Sequence, residues 1–142
     1  MGILNYTTTV DSTKTIGEIQ KCLVKHGAVK IVTDYKDQLP SSVTFCLDMD
    51  GNMVAFSLPA NYAGVLRAMQ RDSKVPRRLQ TEQQALKVSW RIIKTWVEAQ
   101  MAIVEAELAD VAEVFLPYAI TKNGSTLYKE IQDTELLMIE GK

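Results

Sequence analysis

The spacing of apolar residues along this chain changes once, near Pro59, and that change decides the fold class. Before Pro59, apolar and polar side chains alternate, most clearly over residues 42–58, which is typical of half-buried strands. After it, apolar residues recur every three or four positions, the period of an amphipathic helix. The sequence therefore predicts an α+β fold, with a small, mostly antiparallel sheet from residues 3–59 and helices after residue 60.

Local signals place the elements of the first half. Asp11 or Ser12 can cap the start of a helix, and Gly27 suits its end because glycine accepts a positive φ. Asp50-Gly51 is typical of a hairpin turn. The predicted elements are a strand over 3–10, a helix from about 12 to 26, a strand over 28–35, a polar loop over 35–42 and a hairpin of two strands that ends at Pro59.

The second half contains one long helix, predicted at about residues 82–108, after a shorter one that starts near Tyr62. Thr81 and Gln84 match the capping box that marks a helix start. The apolar residues of the long helix form two rows that span roughly 200° of its surface, wider than a surface helix needs. We therefore expect a second buried side, against other helices or in a homo-oligomer. The rows are Leu86, Trp90, Ile93, Val97, Met101, Val104 and Leu108, and Ala85, Val88, Ile92, Trp96, Ala99 and Ile103.

Length and composition limit the class of protein. A chain of 142 residues with 46% hydrophobic and 23% charged residues suits one domain, predicted to cover 1–142. No apolar stretch is long enough to span a membrane, and the N-terminus lacks the features of a secretory signal, so we expect a cytoplasmic location in the host cell and no membrane partner. The apolar tail 136–139 is predicted to dock as an edge strand.

Few residues are candidates for catalysis. The single histidine, His26, falls at the end of the first predicted helix, where it usually contacts the last carbonyl groups or solvent. The two cysteines, Cys22 and Cys46, have no metal-ligand spacing and are expected to be core or near-core residues. There is no phosphate-binding glycine loop and no zinc motif. We therefore predict no catalytic residues, no metal and no cofactor.

Basic residues are concentrated between positions 67 and 94. This segment contains all five arginines and has eight basic against two acidic residues, which gives +6 while the rest of the chain carries −7. Because guanidinium groups bind phosphates and carboxylates through paired hydrogen bonds, the clustering predicts an anion site. A solvated basic face balanced by acids elsewhere in the fold is the alternative. The candidate phosphate-binding residues are Arg67, Arg71, Arg77, Arg78, Arg91, Lys87 and Lys94, and Tyr62 and Tyr118 are candidates for stacking on a base.

Four runs of the sequence resemble small proteins encoded by phages and prophages. They are Leu4-Asn5-Tyr6-Thr7-Thr8-Thr9-Val10, the Trp90-Arg91-Ile92-Ile93-Lys94-x-Trp96-Val97-Glu98-Ala99-Gln100 stretch, and Glu113-Val114-Phe115-Leu116-Pro117-Tyr118 with Gly124-x-Thr126-Leu127-Tyr128. The similarity covers nearly the whole chain. The resemblance implies a viral accessory protein. It assigns no activity and no site residue to this chain.

These observations favour a non-enzymatic, homo-oligomeric sponge that sequesters a phosphorylated, nucleotide-type immune signal. The alternative is a protein that binds nucleic acid, or an anti-CRISPR-type protein that binds a host defence protein, through the same basic residues. A sequence pI near 5.8 is low for a general nucleic-acid-binding protein. An enzyme acting on phosphoesters lacks a candidate base or metal site.

Overall fold

The computed structural model describes residues 2–134. Three strands form an antiparallel sheet in the order β1-β2-β3, and helices precede and follow it, which confirms the predicted α+β fold. The elements are α1 (Ser12–Lys25), β1 (Lys30–Lys36), β2 (Leu39–Met49), β3 (Asn52–Pro59), α2 (Tyr62–Arg71), a 3₁₀ turn (Arg77–Leu79), α3 (Glu82–Glu105), α4 (Val111–Val114), a second 3₁₀ turn (Leu116–Tyr118) and α5 (Leu127–Thr134). The predicted edge strand at 136–139 lies outside the described residues.

The N-terminal arm, residues 2–10, forms turns, so the predicted strand over 3–10 is wrong. Asn5 takes a φ of 65°, and the amide of Thr8 donates to its carbonyl. The side-chain amide of Gln84 on α3 donates to the carbonyl oxygens of Tyr6 and Thr8, both at 2.9 Å. Contacts with residues distant in sequence therefore override the local strand pattern, and the sheet begins only at Lys30.

Both hairpins have two-residue turns in which φ is positive. The polar loop predicted over 35–42 is wrong, because β1 and β2 extend until only Asp37 and Gln38 remain between them, at φ of 52° and 68°. Pro40 fits within β2 because pairing with β3 starts only at Ser42, so its missing N–H breaks no bond on that side. The second turn, Asp50-Gly51, occurs where predicted.

The main core lies between the inner face of the sheet and helices α1 and α3. Phe45 and Phe56 stack at 5.2 Å between ring centroids, and Trp90 of α3 is fully buried in the same cluster. A smaller second cluster joins α2, α3, the first 3₁₀ turn and the N-terminal arm. Its buried members are Met69, Val75, Ala85 and Val88, with Ile3, Tyr6, Tyr62, Val65, Leu66, Leu79 and Ile92 packed around them.

The two apolar rows of α3 are therefore packed largely against other parts of the same chain. Leu86, Trp90 and Val97 enter the main core, and Ala85 and Val88 enter the second cluster. The apolar width of this helix consequently gives no reason to expect a second subunit, and the homo-oligomer stays a prediction.

Helix α3 ends at Glu105, three residues before the predicted boundary. Glu107 takes a φ of 61°, and its amide donates to the carbonyl of Val104. The amide of Leu108 donates to the carbonyl of Ile103. This is a Schellman motif, in which glycine usually occupies the left-handed position. Leu108 consequently leaves the apolar row and is 75% exposed.

Candidate functional site

Two of the predicted anion-binding residues lie on the outer face of α2. The inner face of this helix packs Val65, Leu66 and Met69 into the second cluster. Arg67 and Arg71 are exposed on the opposite face. Their spacing of four residues places their Cβ atoms about 5–6 Å apart. Both guanidinium groups therefore project from one rigid helix surface into solvent.

The chain after α2 adds three more cations. Asp72 caps the turn by accepting a hydrogen bond from the Lys74 amide at 2.9 Å. Val75, 3% exposed, anchors the segment in the second cluster. Lys74, Arg77 and Arg78 remain exposed around this anchor. The buried valine thus fixes the backbone from which these side chains extend.

We define the basic patch as Arg67, Arg71, Lys74, Arg77 and Arg78. Within residues 67–78 these five are accompanied by one acid, Asp72, so the segment carries +4 and the rest of the chain −5. Among the described residues, no carboxylate forms an ion pair with any member of the basic patch. An anionic partner would relieve the repulsion between these cations.

Arg91 has a different environment. Its Nη1 atom lies 2.7 Å from Oε1 of Glu18 and 3.4 Å from the hydroxyl of Thr15, both on α1. The Arg91 side chain is only 22% exposed. This arginine therefore connects α3 to α1, on a different side of α3 from the one that packs against α2.

The two candidate lysines on α3 also have acidic neighbours. Nζ of Lys94 lies 2.6 Å from Oε2 of Glu98, one turn further along the helix. Lys87 lines a cavity of about 520 Å³ between the starts of α1 and α3, together with Asp11 and Glu82. The alternative of a basic face balanced by acids thus describes Arg91 and Lys94, whereas the basic patch fits the anion-site interpretation.

The two candidate stacking residues lie apart from each other. Tyr62 is half-buried at the start of α2, where it contacts both hydrophobic clusters. Tyr118 is half-buried in the second 3₁₀ turn, with its ring centroid 5.2 Å from that of Trp96. Tyr118 lines a groove of about 590 Å³, and no arginine contributes to that lining. The structure thus does not gather tyrosines and arginines around one pocket.

A contact that the sequence did not reveal joins the ends of α1 and α3. His26 Nε2 lies 2.8 Å from Oε2 of Glu105, and Nδ1 lies 2.8 Å from the carbonyl oxygen of Cys22. The contact with the Cys22 carbonyl confirms the expectation that His26 meets the last carbonyl groups of α1. The contact with Glu105 could not be expected, because that residue is 79 positions away in sequence. Because a neutral imidazole has one N–H, only the protonated ring can donate to both oxygens.

The thiol of Cys22 lies 4.0 Å from Nδ1 of the same histidine. Burial raises the pKa of this thiol above its ordinary value, and the negative charge of Glu98 adds to the increase. A raised pKa reduces the thiolate fraction, which is the reactive form. Nδ1 is also occupied by a carbonyl oxygen. The arrangement therefore resembles a link between helices more than an activated nucleophile.

The described part of the chain, residues 2–134, lacks two further features. That part of the chain contains no group of three or more side chains placed to hold a metal ion. It also contains no helix with both the length and the apolar character needed to cross a bilayer.

Comparison with protein-family models, with curated proteins and with solved structures yields no match to this chain. The resemblance to phage-encoded proteins stays a prediction, and the interpretation of the site depends on its own residues.

Proposed function

We propose that this protein binds an extended polyanion, nucleic acid, through the basic patch. The observation that supports this is the group of five exposed cations, from Arg67 to Arg78, that form no ion pair with a described acid. The patch is held by α2 and by the buried Val75, so the cations do not depend on a loose loop for their position. Arginine and lysine side chains that contact successive phosphates supply most non-specific affinity for nucleic acid.

An extended partner suits this surface better than the small nucleotide expected of a sponge. A sponge requires a concave pocket that takes its ligand out of water. The four arginines of the basic patch are exposed, and none lines the cavities described above. Exposed cations that line neither cavity favour a ligand that contributes many charges over a wide area.

The test is fluorescence anisotropy with a labelled oligothymidine over a series of salt concentrations. We expect the logarithm of the association constant to fall linearly with the logarithm of the salt concentration. The double variant Arg67→Gln/Arg71→Gln should reduce the slope by about 1.4, because each single-strand phosphate contact contributes about 0.7.

The matched control is Lys14→Gln/Lys21→Gln, which removes the same charge from exposed positions on α1. If both double variants weaken binding equally, net charge is responsible and the basic patch is not the site. The variant Arg67→Lys/Arg71→Lys should retain most of the slope because it keeps the charges. If it loses binding, and cyclic dinucleotides bind with little salt dependence, the sponge replaces this proposal.

A further inference from the structure

A groove beside strand β3 has a lining that shares no residue with the basic patch. Its volume is about 590 Å³, within the range of about 300–1,000 Å³ typical of small-molecule sites. Strand β3 contributes Ser57 and Pro59, the second 3₁₀ turn contributes Pro117 and Tyr118, and the start of α5 contributes Thr126 and Tyr128.

Backbone hydrogen bonds fix the walls of this groove. The amide of Ile120 donates to the carbonyl of Ala55 at 2.7 Å, and Ala119 pairs with Phe56, so the chain after Tyr118 continues the sheet beside β3. The amide of Leu127 donates to the carbonyl of Ala119, also at 2.7 Å, which attaches the start of α5. The groove is therefore part of the folded sheet and needs no loop closure to form.

The lining is aromatic and uncharged. The Tyr118 ring is held edge-on against Trp96, at an interplanar angle of 65°, whereas Tyr128 is 57% exposed and offers an accessible ring. The hydroxyl groups of Ser57, Tyr118 and Tyr128 form no hydrogen bond with any described residue. None of the six lining side chains carries a charge that could offset the desolvation of a charged ligand.

We propose that this groove binds a small, neutral, planar aromatic molecule that stacks on Tyr128 and forms hydrogen bonds with the hydroxyl groups of Ser57 and Tyr118. Aromatic rings favour a planar partner, and a few polar groups in a mostly apolar lining fix its orientation. The uncharged lining selects a neutral ring over a phosphorylated one. This site therefore differs in ligand class from the basic patch and does not depend on the function proposed there.

The experiment is an NMR titration of the full-length protein with two uncharged planar probes, adenosine and indole, and with AMP as the charged comparator. Saturable shifts are expected at the amides of Ser57, Tyr118, Thr126 and Tyr128. AMP should bind roughly tenfold more weakly than adenosine, because its phosphate meets no cation in the lining. Tyr128→Ala should lower the affinity for adenosine about tenfold or more.

Tyr35→Ala is the matched control, because Tyr35 is similarly exposed at 65% on β1 and does not line the groove. Tyr128→Leu repeats the test with an apolar side chain if the alanine variant fails to fold. Four outcomes would overturn the proposal: neither neutral probe binds, AMP binds as well as adenosine, Tyr35→Ala weakens binding as much as Tyr128→Ala, or NOEs in the free protein show residues 135–142 occupying the groove.

Discussion

The guanidinium of Arg91 and the carboxylate of Glu18, 2.7 Å apart, join the two helices that cover the sheet. Both side chains are partly exposed, so water weakens the attraction between them. We expect Arg91→Ala to lower the free energy of unfolding by about 1 kcal/mol and to leave oligothymidine binding unchanged. Urea unfolding of both single variants and of Arg91→Ala/Glu18→Ala gives their coupling energy. A variant that keeps its stability but loses binding would place Arg91 in the anion site instead.

Gln84 holds the N-terminal arm through its side-chain amide. Gln84→Glu keeps the shape of the side chain but replaces the donor with an oxygen that faces two carbonyl groups. We expect a loss of about 1–3 kcal/mol in the free energy of unfolding, and faster hydrogen exchange at Thr8. Gln83→Glu is the control, since it adds the same charge to the same helical turn at an exposed position. Equal effects in the two variants would show that charge, and not the lost donor, is the cause.

Glu107 occupies the left-handed position after α3, at a φ of 61°. A residue with a Cβ atom costs about 1–2 kcal/mol there, and glycine avoids that cost at the expense of a more flexible unfolded chain. Glu107→Gly should therefore raise the free energy of unfolding by about 0.5–1 kcal/mol. Glu107→Ala removes the charge but keeps the Cβ atom. If thermal denaturation shows the same gain for alanine, the charge of Glu107 explains it and the backbone does not.

The raised pKa of the Cys22 thiol makes stability depend on pH in the alkaline range. The unfolded chain, with the ordinary value near 9.0, loses this proton before the folded protein does. The stability contribution is therefore complete below pH 9.0 and is lost as the pH rises through the folded pKa. Between pH 9.0 and the pKa of the folded protein, the free energy of unfolding should fall more steeply with pH for the native protein than for Cys22→Ser. Parallel curves for the two proteins would contradict this prediction.

Signals from neighbouring residues were sufficient to predict where α1 begins and ends. Asp11 caps α1 by accepting a hydrogen bond from the Thr13 amide at 3.1 Å, and Gly27 ends that helix at a φ of 107°, both as predicted. The arm could not be predicted, because Ile3 and Tyr6 pack against residues that come about sixty or more positions later in the chain. The turn at Asp37-Gln38 was missed because neither residue is the glycine that usually marks a positive φ.

For the candidate site, too, the sequence was sufficient to predict some features and insufficient for others. The distribution of charge along the sequence was sufficient to locate the segment that holds the basic patch. It could not separate Arg91 from the arginines of the patch, because the acid that pairs with Arg91 is 73 residues away in sequence. Nor could it show that Tyr118 faces an uncharged groove, since that lining combines β3 with the start of α5.

The second cluster couples two parts of the protein that lie far apart in the sequence. The same buried side chains support the N-terminal arm on one side and the segments that carry the basic patch on the other. If the cluster opens as one unit, both parts are released together, and a polyanion bound to the patch as proposed would also stabilise the arm by linkage. The reciprocal effect follows: any change that frees the arm lowers the population of the binding-competent surface. If the patch binds a polyanion as proposed, the amide protection of residues 3–8 should rise with the concentration of that polyanion.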